Sequence, residues 1–137
     1  MGCKTYLSIV FLFIIHFSFA QSNSGWQNLF DGKTLNGWKR LAGTANYTVE
    51  NSAIVGTTVE GSGNTFLATE KEYSDLILEL DIKLESDKGN SGIQTRSHFD
   101  PAAKNGKGLV YGRQVEVDPS DRRWSGGIYD EGRRLWL

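Results

Sequence analysis

From Gln114 to Asp118 polar and apolar residues alternate without a break. In a β-strand, a period of two puts Gln114, Glu116 and Asp118 on one face and Val115 and Val117 on the other. The valines are expected to pack into a core. Asp is depleted in strands and Glu to a lesser degree. Three polar groups in line are therefore either a wetted outer face or the floor of a polar cleft. A second alternation runs from Asp75 to Glu85. Leu76, Leu78, Leu80, Ile82 and Leu84 share one face, and Ile77, Glu79, Asp81, Lys83 and Glu85 share the other. A helix would scatter these apolar positions, so the segment reads as a strand with its leucines toward the core and its acids toward water.

The rest of the chain reads the same way. Ala45–Glu50 and Ala53–Val59 are β-rich runs joined by Glu50-Asn51-Ser52, a hairpin signal. Phe66–Thr69, Ser91–His98, Leu109–Asp118 and Gly127–Tyr129 are further strand candidates. Asp31-Gly32, Asn36-Gly37, Gly61–Asn64 and Asp87–Asn90 are turn signals. Helical periodicity is hard to find beyond residue 25. The expected class is all-β, an antiparallel sandwich or jelly roll. About eight strands are few for two closed sheets, and the last residues, Leu135-Trp136-Leu137, are apolar. The expectation is a domain over 21–137 that is only part of a complete jelly roll.

The 137 residues, 23% charged and 39% hydrophobic, suit one domain, and a net charge of -1 supplies no basic field for nucleic acid. Residues 1–20 read as a signal peptide: Lys4, an apolar run from Tyr6 to Phe19, and small residues in Ser18-Phe19-Ala20 at the cleavage positions. The run is shorter than the ~20 residues that span a bilayer, so the mature chain is expected to carry no transmembrane anchor. Export to a periplasmic or extracellular location follows. Cleavage after Ala20 removes Cys3 and His16. The mature chain then has no cysteine, which excludes disulfides and thiol catalysis, and one histidine, His98, which excludes a multi-histidine metal site. No phosphate-binding glycine loop, dinucleotide fingerprint, HExxH or GxSxG motif is present.

What remains is a polar constellation on two strands. Ser91–His98 offers Gln94, Arg96 and His98 on one face; Leu109–Asp118 offers Gln114, Glu116 and Asp118. Side by side, these would bring six polar groups together. Amides, Arg and carboxylates grip sugar hydroxyls, and Trp or Tyr stack on sugar rings. Plainer readings are a salt bridge from Arg96 to Glu116 or Asp118, and a surface histidine at 98. Residues two apart on a strand are roughly 6.5–7 Å apart, a spacing that permits paired-carboxylate glycosidase chemistry without selecting it. Jelly-roll glucanases resemble this region, but their pattern begins with Glu where this chain has Gln114.

Four stretches carry a closer resemblance: Trp26–Trp38 (WQNLFDGKTLNGW), Asn90–His98 (NSGIQTRSH), Tyr111–Asp118 (YGRQVEVD) and Gly126–Arg133 (GGIYDEGR). In this order they resemble the 3-keto-disaccharide hydrolase domain family, also called DUF1080. The resemblance covers nearly all of the mature chain. It implies a concanavalin A-like jelly roll, exported, acting on sugars oxidised at C3. A C3 ketone acidifies the C2 hydrogen, so a base can remove it, the C1 substituent can leave, and water can add back. Mapped onto the matching motifs, the catalytic candidates are Arg96, His98, Glu116 and Asp118. Either His98 or Glu116 is the base, and Arg96 holds the oxyanion, with or without a divalent cation on the oxygens of Glu116 and Asp118. Ca²⁺, Mg²⁺ or Mn²⁺ would suit such oxygens. Gln94, Gln114, Trp124 and Tyr129 are the substrate-binding candidates. The rival expectation is a carbohydrate-binding module with the same fold and no chemistry.

Overall fold

The computed structural model describes residues 25–86 and 89–137. The signal segment with its cleavage site, and Asp87 and Lys88 of one expected turn, lie outside the described residues. Among those residues no helix is long and apolar enough to cross a membrane.

The chain opens with a turn built by one carboxylate. Oδ1 of Asp31 accepts the backbone N–H groups of Lys33 and Thr34, each at 2.7 Å, and Oδ2 accepts the Thr34 hydroxyl at 2.7 Å. The indole N–H of Trp38 donates to the Leu29 carbonyl at 3.0 Å and closes this lead-in onto strand β1 (Trp38–Ala42). Strands β2 (Asn46–Glu50) and β3 (Ala53–Thr57) form the expected hairpin. Asn51 and Ser52 both have positive φ, 50° and 61°, as a two-residue turn of the I′ kind requires. Strand β4 (Thr65–Thr69) returns antiparallel to β1, and the Tyr47 hydroxyl of β2 donates to the Thr65 carbonyl at 3.0 Å.

The second half of the chain is one four-stranded antiparallel sheet in the order β5-β6-β7-β8. Its strands are β5 (Ser91–Asp100), β6 (Leu109–Val117), β7 (Ile128–Glu131) and β8 (Leu135–Trp136). Among the described residues all sheets are antiparallel and every element of length is a strand, consistent with part of a concanavalin A-like jelly roll. Between β5 and β6 a single turn at Ala103–Gly106 contains Lys104 and Asn105 in left-handed conformations, so it is a loop rather than a helix.

Two sequence expectations need correction. The segment 75–85 is not a strand. Leu76, Ile77, Leu78, Leu80 and Ile82 are exposed, Leu80 at 49%. Alternation encodes a face, but a strand also needs a backbone partner and a surface to cover that face, and no strand pairs with this segment among the described residues. On β6 the buried face is the polar one. Val110, Gly112, Glu116 and the following Asp118 are buried and Gln114 is half-buried, whereas Val115 is 39% exposed. The centre of the sheet is thus lined by carboxylates and amides as much as by hydrocarbon.

Candidate functional site

Register decides which side chains meet. Gln94 on β5 lies opposite Gln114 on β6, Gln114 lies opposite Tyr129 on β7, and Tyr129 lies opposite Trp136 on β8. Directly opposed residues share a face. One transverse row therefore crosses all four strands as amide, amide, phenol, indole.

The polar end of this row is a directed chain of hydrogen bonds. The Ser97 hydroxyl donates to Gln94 Oε1 at 2.6 Å, and Gln94 Nε2 donates to Gln114 Oε1 at 3.4 Å. Gln114 Nε2 then donates to Glu116 Oε2 at 2.9 Å, and Asn90 Nδ2 donates to Glu116 Oε1 at 2.7 Å. Glu116 is 2% exposed and accepts one amide on each oxygen. The chain can form because position 92, opposite Glu116, is glycine. A Cβ there would lie 2.5 Å from Cγ and Cδ of Gln114, so the amide occupies the space a side chain would take.

A β-bulge separates Arg96 and His98 from this row. The register of β5 against β6 shifts between Thr95 and His98, and Arg96 sits at φ 51°. Gln94 therefore keeps the Gln114 face, while His98 pairs with Tyr111 on the opposite face and stacks on its ring at 5.4 Å. The expectation that Gln94, Arg96 and His98 share one face is corrected by this single extra residue. Arg96 is 71% exposed and donates to Asp75 Oδ1 at 3.0 Å, not to Glu116 or Asp118.

Asp118 ends the same face of β6 but turns to the following loop. Its Oδ1 accepts the Ser120 N–H at 2.9 Å, while Oδ2 faces the Arg122 guanidinium at 2.6 Å as an ion pair without a directed hydrogen bond. Hydrogen bonds from Ser120, opposed by burial and helped by the charge of Arg122, hold its carboxyl below the usual carboxylate range. Asp130 is gripped by Arg133 and Arg134, each at 2.7 Å, and the Arg134 hydrogen bond foremost lowers its carboxyl against the cost of burial. The oxygens of Glu116 and Asp118 are already engaged, one pair by amides and the other by Ser120 and Arg122. No cluster of three or more acidic, His or Cys side chains occurs among the described residues. This donor set does not fit a divalent cation.

The aromatic end of the row is equally built. Trp136 meets Trp124 edge-on with ring centroids 4.2 Å apart, and meets Tyr129 edge-on at 5.1 Å. The Arg122 guanidinium lies 5.0 Å over the Trp124 ring. Of the residues expected from sequence, the structure brings Gln94, Gln114 and Tyr129 into one row, with Glu116 hydrogen-bonded to it from the next position on the same face of β6, Trp124 beside it and Asp118 at its margin. Arg96 and His98 are not part of it. Asn90, Gly92, Ser97 and Trp136 were not singled out, although the first three stand inside the NSGIQTRSH motif.

No curated protein matches the chain. A family model does: residues 25–136 match the 3-keto-alpha-glucoside-1,2-lyase-like domain, and the matched span contains every residue of the row. The chain belongs to the family of 3-keto-alpha-glucoside-1,2-lyase-like domains.

Proposed function

We propose that the chain cleaves 3-keto-glycosides by elimination followed by hydration, with Glu116 as the base. The observation that supports this most is the directed chain from Ser97 through Gln94 and Gln114 to Glu116, at the head of a row that ends in aromatic rings. A Glu116 oxygen takes the proton from C2, and the electron pair moves into an enolate on the C3 oxygen. Its return expels the C1 oxygen, which takes up the proton that Glu116 removed from C2, and leaves a C1–C2 double bond conjugated to the ketone. Water then adds at C1 and a proton returns to C2, for net hydrolysis. To reach Glu116 the substrate replaces the Gln114 amide. The displaced Nε2–H is then free to donate to the C3 oxygen, where negative charge develops. The bulge leaves Arg96 and His98 without a step in this scheme.

Run in heavy water, the reaction should place deuterium at C2 of the released keto sugar beyond any enzyme-free exchange. Glu116→Gln should lower turnover by ~10²–10⁴, the range for loss of a general base. Cleavage with C2 still protiated, or undiminished turnover in Glu116→Gln, would contradict the scheme. The binding-module reading draws on one observation: Glu116 is 2% exposed with both oxygens engaged. It predicts sugar affinity and no turnover. The reading also includes export, so N-terminal sequencing of the exported protein should begin at Gln21; a chain that retains Met1 would argue against it.

A further inference from the structure

Resting on the reading above, the geometry points to a second sugar subsite on Trp136, which takes the ring that leaves from C1. Gln114 and Trp136 stand two strands apart in the row, roughly 9–10 Å at the usual interstrand spacing. That span accommodates two linked pyranose rings side by side. The ring that loses its C2 proton must lie over Gln94, Gln114 and Glu116, so the ring joined to it extends along the row toward β8.

Trp136 is suited to receive it. The ring is held in place by T-shaped contacts with Trp124 and Tyr129. Gly127 lets it lie against the backbone: a Cβ at that position would come 3.1 Å from Trp136 Cζ3. Yet Trp136 remains 37% exposed. The neighbouring Trp124 is already covered in part by Arg122, whose guanidinium is anchored on Asp118. Trp124 is itself 42% exposed, but it stands outside the row, so Trp136 is the exposed aromatic ring in line with the amides. Rigid aromatic rings bind sugar faces at small entropic cost, since few torsions must be frozen. The occupant is the sugar or aryl leaving group of a 3-keto-disaccharide or aryl 3-keto-glucoside. A methyl leaving group would not reach it.

The test compares the full chain with Trp136→Ala and Trp136→Phe on a 3-keto-disaccharide and on methyl 3-keto-glucoside. Trp136→Ala should raise KM for the disaccharide about tenfold, the order expected for one lost stacking surface, with kcat little changed. It should leave the methyl glycoside within about twofold, and Trp136→Phe should keep most of the affinity. Equal losses on both substrates would reduce Trp136 to a structural role and overturn the subsite, as would no loss on either. If the unaltered chain turns over neither compound, the reading of the reaction fails and the subsite is judged by binding alone. Quenching of tryptophan fluorescence by the disaccharide, absent with the methyl glycoside and lost in Trp136→Phe/Trp124→Phe, supports it; no quenching overturns it.

Discussion

The place of Gln114 depends on a neighbour without a side chain. Gly92 leaves the space in which its amide reaches Glu116. Gly92→Ala puts a methyl group 2.5 Å from that amide's carbons, and the long Gln side chain can escape by rotating. The expected outcome is turnover lowered about 10²-fold, as for a lost oriented donor, with a urea midpoint close to that of the unaltered chain. A large drop in the midpoint would mean that Gly92 serves the fold instead. The aspartates set the acid response. Asp31 is lowered from 3.8 to about 2, first by the Thr34 hydroxyl and then by the backbone N–H groups of Thr34 and Lys33. Asp118 and Asp130 move the same way. A carboxyl held below its unfolded value stabilises the fold fully above that value and loses the contribution as pH falls through the folded one. For Asp31 the window runs from about pH 4 down to about 2. Thermal melts should therefore be insensitive to this group above pH 4 and fall below it, and Thr34→Ala should shrink the fall. An unchanged acid profile in Thr34→Ala would disprove the assignment.

Strand β6 was legible because a period of two needs no information beyond the strand itself. The β2–β3 hairpin was legible because Asn51 tolerates the positive φ its turn demands. The bulge in β5 was not, because its left-handed residue is Arg96, with no glycine or asparagine to mark it. That one shift moved His98 across the sheet and left Ser97 to complete the amide chain. The segment 75–85 misled for another reason: its alternation is intact, but Leu76, Leu78 and Leu80 are uncovered. Leu80→Ala should accordingly change stability by no more than about 0.5 kcal/mol in urea unfolding, as at other exposed positions. A loss of ~2–5 kcal/mol, the range for a buried leucine, would show that the segment is covered in solution.

Across the molecule, the four-stranded sheet holds its functional groups by register rather than by a deep pocket. Its buried side chains include Glu116, Asp118 and Asp130, with Val110 as the buried hydrocarbon among the described residues. Each buried acid has its own partners: amides for Glu116, Ser120 and Arg122 for Asp118, and two arginines for Asp130. Glu116 differs in that its partners are two amides, with no ion pair to it among the described residues. The matched family is one of 3-keto-alpha-glucoside-1,2-lyase-like domains, and the elimination proposed for this chain requires a sugar whose C2 hydrogen a ketone has acidified. The most direct test is to follow monosaccharide release by the full chain from a 3-keto-disaccharide and from the same disaccharide with its C3 hydroxyl unoxidised. Elimination predicts release from the keto form and a rate at least ~10²-fold lower, the scale of one proton-transfer step, from the unoxidised form. Equal rates on the two would contradict it.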